Sequence, residues 1–164
     1  KEVRAFVKSV ETDMPAGVDG SVYDKAVQIS WMDSILTKKA VPAPQDVDEA
    51  EIDRTYGDDP VEIFRDWTVV EDGYFTIHFN TGWGSSNIKH EVNLITGLNP
   101  DDPYEVYFKH NAHGDISSVA GDGIVAFRLD GLPDTGGETV KMTLRFDSPS
   151  GEKTAQFDYR TRVD

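Results

Sequence analysis

Between Trp67 and Leu94 apolar and polar residues alternate with a period of two. Phe75, Ile77 and Phe79 interleave with Tyr74, Thr76 and His78, the pattern of a strand with one buried face. Ile88-Lys89-His90-Glu91-Val92-Asn93-Leu94 repeats it, and the polar, glycine-rich stretch 80–87 between the two runs reads as a loop. The pattern predicts two strands folded back on each other as a hairpin with a long tip. Further on, Val106, Phe108 and His110 alternate with Glu105, Tyr107 and Lys109, and residues 124–129 form another apolar run. Val140, Met142, Leu144 and Phe146 define a strand that turns at Ser148-Pro149-Ser150-Gly151 and returns through Ala155, Phe157 and Tyr159. From residue 61 onward about seven strand candidates recur with turn signals roughly every 8–12 residues, the spacing of an immunoglobulin-like β-sandwich.

Ahead of this region, residues 2–10 form a plausible strand with Val3, Ala5 and Val7 on one side. Residues 25–32 form a second, with Val27, Ile29 and Trp31 sharing a face. Asp33-Ser34 before Ile35-Leu36 reads as a capped turn. No amphipathic helix of ordinary length is expected anywhere. From Val41 the chain turns to proline and acid: Pro42, Pro44, Asp46, Asp48, Glu49, Glu51, Asp53, Asp58 and Asp59. Like charge and proline both oppose compact packing, so this stretch is expected to be a solvated linker. Asp46-x-Asp48 opens like a calcium loop, but Glu51 stands where the loop needs glycine and the closing glutamate is missing. The domain expectation is a partial β module with acidic linker over 1–60 and a sandwich over 61–164.

Composition narrows the function. The 164 residues carry 16 Lys+Arg against 30 Asp+Glu, a net charge of −14. Binding to nucleic acid or to an anionic membrane is driven by basic side chains, so neither is an expected partner. Cysteine is absent, which removes disulfides, thiolate nucleophiles and cysteine zinc sites. No apolar run approaches the roughly 18 residues of a membrane helix. Lys1 is not a natural start, and the expectation is that a signal, an anchor and opening strands lie upstream.

The order Glu71-Asp72-Gly73-Tyr74-Phe75-Thr76-Ile77-His78-Phe79, Lys89-His90-Glu91-Val92-Asn93-Leu94, Phe108-Lys109-His110-Asn111-Ala112, Phe127-Arg128-Leu129 and Phe157-Asp158-Tyr159 resembles the C-terminal β-sandwich domain of NigD-like proteins. Arg4-Ala5-Phe6-Val7, Val27 to Trp31 and Ser34-Ile35-Leu36-Thr37-Lys38 look like the later part of that family's N-terminal OB-type domain. The resemblance implies an all-β chain with a partial OB-type barrel before the sandwich. It also implies an outer-membrane lipoprotein in the envelope of a Gram-negative bacterium, periplasmic or surface-exposed, tethered by an acylated cysteine upstream. No catalytic residue or cofactor comes with it, and fold alone confers no function.

Two function classes remain. The first is a non-enzymatic module that binds an envelope protein or a glycan through loops such as 80–87 and 111–123. Its candidate ligand contacts are Trp83, Tyr74 and Tyr107. Trp83, in a polar loop, either folds back over the sheet edge or stands out as a platform for a sugar or partner. Trp31 and Trp67 are expected in core or interdomain packing. The second class is a metal-dependent hydrolase using His110 and His113. On an extended strand those two rings face opposite sides, and zinc needs three or four converging ligands. The blander expectation for His90 and His110 is a pair of core-edge histidines bonded to backbone. Ser85, Ser86, Ser117 and Ser118 lie in loops without the strand-turn-helix setting of a serine hydrolase.

Overall fold

The computed structural model describes residues 3–162 apart from Ile116 and Ser118. Glu2 of the expected first strand and Ser118 of the loop serines therefore lie outside the described residues. The chain divides into two compact units, Lys1–Leu36 and Thr37–Asp164, a division that falls well before the acidic stretch.

In the first unit β1 (Ala5–Thr12) and β2 (Ala26–Ser34) pair antiparallel. Among the described residues the expected OB-type module is thus a two-stranded ribbon and not a closed barrel. Lys8 stands opposite Trp31 and Ser9 opposite Ile29, so Ser30 is an unpaired bulge whose hydroxyl donates to the Lys8 carbonyl at 3.1 Å. The extra residue inverts the alternation: Trp31 lies on the face of Phe6 and Val10, opposite Ile29 and Val27, which corrects the expected shared face. Exposed apolar side chains stand on both faces.

The second unit is a β-sandwich. One sheet runs β3 (Leu36–Lys39), β10 (Ala120–Arg128), β7 (Tyr74–Gly82) and β5 (Glu62–Ile63), with β6 (Val69–Glu71) also paired to β7. The other runs β12 (Gly151–Tyr159), β11 (Val140–Ser148), β9 (Glu105–Asn111), β8 (Glu91–Thr96) and β4 (Val41–Pro42). The core lies between them: Phe75, Ile77, Phe79, Val125 and Phe127 from the first sheet meet Leu94, Val106, Phe108, Met142 and Leu144 from the second. Apart from Val125 and Phe127, which come from the continuous apolar run 124–129, these are the inward positions read from the alternation. Among the described residues no helix is long and apolar enough to cross a membrane.

Three expectations are corrected. β7 and β8 do not pair: β7 lies in one sheet and β8 in the other, so residues 83–90 cross from sheet to sheet. Period-two alternation marks a buried face, which both strands have, but it does not name the hydrogen-bonding partner. The expected capped turn at Asp33-Ser34 is extended chain, with both residues in β2 and β3 starting at Leu36. The expected acidic linker contains a helix, α1 (Glu49–Tyr56). Asp48 caps it by accepting the Glu51 N–H at 2.9 Å, and Glu49 and Glu51 sit in the first turn, where the helix dipole favours acids. Ile52 is buried with Ile95 and Tyr107, against which Val47 and Tyr56 also pack. Asp53 and Glu49 reach Lys109 of β9 at 2.7 and 3.8 Å. The acids here dock a helix on the outer face of the second sheet.

Candidate functional site

The loop end of the sandwich is built around two histidines. β7 ends at Gly82, where a Cβ would lie 2.2 Å from the Ser117 carbonyl oxygen, so only glycine fits. Trp83 then turns inward, its backbone N–H donating to the Val119 carbonyl at 2.8 Å. Its indole lies over Gly121 and stacks on His90 with ring centroids 4.1 Å apart. Trp83 therefore folds back over the sheet and packs against the core, and it is not an outward platform.

His90 Nδ1 lies 2.9 Å from His110 Nε2, and His90 Nε2 lies 3.1 Å from Asp115 Oδ2. The same Asp115 oxygen accepts the N–H groups of Gly84 at 2.9 Å and Ser85 at 3.1 Å. Those two bonds are the leading reason the carboxyl is held below its usual range. At the far end His110 Nδ1 meets the Asp59 carbonyl at 3.2 Å, while the Asp59 carboxylate accepts the Ala112 N–H at 2.7 Å. Burial is the largest influence on His110 and pushes its imidazole down, with the Asp59 bond opposing. The backbone bond expected of His110 is present; His90 is bonded to side chains instead. A cavity of about 260 Å3 opens beside the line, walled by Asp59, Thr81, Gly82, Ala112, Asp115 and Ser117.

The His110 and His113 pair does not assemble. The chain turns over at His113, with φ 51°, and its exposed ring sits 3.7 Å from Glu91, while His110 points into the core. Among the described residues no group of three histidine or acidic side chains is arranged to hold a metal ion. The metal-hydrolase alternative loses its centre. Ser85 and Ser117 spend their hydroxyls accepting the N–H groups of Asn87 and Val119.

The two tyrosines are also placed differently from expectation. Tyr107 is 4% exposed beneath α1. Its hydroxyl donates to Glu105 at 2.6 Å and its ring carries the Arg145 guanidinium at 5.0 Å. Burial, then the Glu105 bond, pushes its phenol up. Tyr74 is 5% exposed. Neither offers a ring face to a ligand.

The exposed aromatic surface lies elsewhere, at a residue expected to be packed. β5 and β6 both pair with β7, and between them a 3-10 turn (Arg65–Trp67) loops out of the sheet edge. The edge stays satisfied because Phe64 N–H donates to the His78 carbonyl at 2.9 Å and the Thr68 hydroxyl accepts the His78 N–H at 3.2 Å. The loop presents Trp67, 71% exposed, edge-on to His78 at 6.2 Å, with Phe64 tilted over the same imidazole at 4.6 Å. Beyond His78, Asp122 is held by His78 Nε2 at 3.1 Å and by the Asn80 amide at 2.7 Å. These side chains form a strip with an indole at one end and a half-exposed carboxylate at the other. Period-two reading could not locate it, because the 3-10 turn breaks the strand pattern at the residue that matters.

A search of curated proteins finds no match. Among solved structures, one described as a toxin-related protein from Parabacteroides distasonis is 34% identical, with a TM-score of 0.77, and the alignment covers 96% of this chain and 73% of that one. A protein of unknown function from Bacteroides vulgatus shares the fold at 18% identity and TM-score 0.68, over 92% and 69% of the two chains. A NigD-like immunity protein from Bacteroides caccae does so at 16% identity and TM-score 0.60, over 94% and 75%. The family model of the NigD-like C-terminal beta sandwich domain matches residues 43–159, which takes in α1 and nearly all of both sheets. On that match the chain belongs to the NigD-like family.

Proposed function

We propose that this protein is a non-enzymatic binding module of the bacterial cell envelope whose contact surface is the strip from Trp67 to Asp122. One observation carries the reading: Trp67 is 71% exposed while the residues around it are fixed. A bare indole on a rigid edge gives up burial that a ligand can restore. The strip pairs that apolar face with Asp122, whose carboxylate is held in place by His78 and Asn80. This is the chemistry that takes a sugar ring, whose apolar face stacks on indole while its hydroxyls donate to the carboxylate. The net charge of −14 disfavours anionic ligands.

A protein partner is the second reading, favoured by the likeness to a structure described as an immunity protein. The envelope location and the lipid tether belong to the proposal as well, and fractionation of cells making the full-length protein tests them. The binding test is a glycan and peptidoglycan-fragment array probed with wild type, Trp67→Ala and Trp83→Ala. Binding lost in Trp67→Ala and kept in Trp83→Ala supports the sugar reading. A blank array with Trp67-dependent capture of an envelope protein supports the second. Capture or array binding that ignores Trp67 removes the strip as the contact surface.

A further inference from the structure

The line Asp115, His90, His110, Asp59 can be counted in protons. A carbonyl oxygen only accepts, so the 3.2 Å contact between His110 Nδ1 and Asp59 O requires a proton on His110 Nδ1. Asp115 Oδ2 already accepts two backbone N–H groups, so His90 Nε2, 3.1 Å away, must be the donor. What remains is the 2.9 Å contact between His90 Nδ1 and His110 Nε2. With both rings neutral, two lone pairs would face each other there with nothing between them. The contact is a hydrogen bond only when the pair carries one proton more than two neutral imidazoles.

The surroundings decide which ring holds that proton. Burial opposes charge on His110. His90 has the Asp115 carboxylate on one side and the Trp83 indole stacked on its face, and both favour a cation. The charged and titratable groups facing the pair are Asp115 from the loop after β9, Asp59 from the segment after α1, and His113. His113 has its own acid, Glu91.

We infer that His90 and His110 hold one shared proton, resident on His90, and that this proton latches the 83–90 crossover to the segment following β9. The latch has a mechanical consequence. Asp115 is joined to the crossover through Gly84, Ser85 and His90 together, and Asp115, Ala112 and Asp59 wall the neighbouring cavity. Removing the proton breaks the bond between the rings, takes the cation from beneath Trp83 and reduces the His90 Nε2–H bond to Asp115 from a charge-assisted bond to a neutral imidazole's. The loop end of the sandwich is therefore held closed while the proton is bound and loosened when it leaves. This inference stands independently of the Trp67 strip.

The test is a 15N imidazole NMR titration of the wild-type protein from about pH 5 to about pH 9, bracketing the ordinary histidine range, with backbone amides followed in parallel. At the acidic-to-neutral end His90 should show protons on both ring nitrogens and His110 only on Nδ1. As the proton leaves, the amides of Gly84, Ser85 and Ala112 should shift with the same midpoint, while those of β11 and β12 stay in place. Asp115→Asn should weaken binding of the shared proton by about tenfold or more, one pK unit. His90→Gln should abolish the titration of the three amides. Two neutral rings throughout, or Gly84 and Ser85 amides that do not follow the His90 nitrogens, would overturn the inference. The wild-type titration decides the matter even where a variant fails to fold.

Discussion

Replacing Lys109 by Met isolates what holds α1 to the sandwich. The Lys109 side chain is 3% exposed, and its ammonium lies 2.7 Å from Asp53, 3.0 Å from Asp147 and 3.8 Å from Glu49. Burial by itself would lower its proton affinity, yet the bonds to Asp53 and Asp147 outweigh it and the group is held above the ordinary lysine range. Met keeps the aliphatic stem and removes only the charge, leaving carboxylates crowded with no counterion. Removing one partner of a fully buried pair costs about 3–5 kcal/mol. Here Asp53 and Asp147 are 30% and 31% exposed and regain some water, so the expected loss is about 2–3 kcal/mol. At roughly 2–4 °C per kcal/mol for a chain of this size, calorimetry should show Tm falling by about 4–12 °C. Because the folded affinity is raised, the wild-type advantage is complete below the unfolded lysine value. It should hold constant through neutrality and close only as pH climbs past about 10. Adding Asp53→Asn and Asp147→Asn to Lys109→Met should recover about 1 kcal/mol or more by removing the stranded charges. A Lys109→Met loss under about 1 kcal/mol, or no recovery in the triple variant, would show that the cluster is surface decoration.

Ile52→Ala empties a buried site under α1 and should cost about 2–4 kcal/mol, with hydrogen exchange accelerated in residues 49–56; exchange unchanged there would mean the helix is held by charge alone. Gly121→Ala would bring a Cβ to 2.2 Å from Trp83 Cδ1, so the indole must leave His90 at a cost of about 1–3 kcal/mol. Tryptophan emission should shift to the red, and an unmoved spectrum would contradict the packing of Trp83. For pH, burial holds the folded His110 imidazole below the range it has when unfolded. The unfolded chain therefore binds more protons as pH falls through about 6.5, and stability should drop with acidification, by at most about 1.4 kcal/mol per pH unit for this group. His110→Asn should flatten that limb of a urea-unfolding series, and a slope equal to wild type would assign the acid sensitivity elsewhere.

Much of the sandwich was legible because its signal is local. Phe75, Ile77 and Phe79, or Met142, Leu144 and Phe146, alternate with polar neighbours, and each set lies inside as the alternation requires. Pro149-Ser150 turns β11 into β12 where turn chemistry said it would. Helix α1 was legible in principle and was missed. Asp48-x-x-Glu51 is a capping-box pattern, Val47 and Ile52 stand at the positions of a hydrophobic staple, and Gly57 follows the last residue. Two turns of helix give too few apolar positions for a periodic signal, and the acids that cap it and bind Lys109 read as a solvated run. The bulge at Ser30 was hidden for a related reason. One extra residue leaves the apolar-polar pattern of the sequence unchanged, while the side chains beyond it move to the other face of the ribbon.

The candidate sites divide along the same line. Aromatics and histidines in loops and at strand ends were visible as residue types, but their surroundings were not. Trp83, in a loop of glycine and serine, is drawn inward because Gly121 leaves room and His90 offers a face. Trp67 is pushed outward because a 3-10 turn interrupts the sheet edge. His90 and His110 meet through strands paired in the second sheet, and Asp115 and Asp59 reach them from loops at far removed points of the chain. The sequence by itself determined the long strands of the sandwich, the buried sides of those that alternate, and a net charge of −14. The tertiary structure alone decided strand partners, the fate of each tryptophan and the histidine line, because these depend on contacts between distant residues that no periodicity encodes.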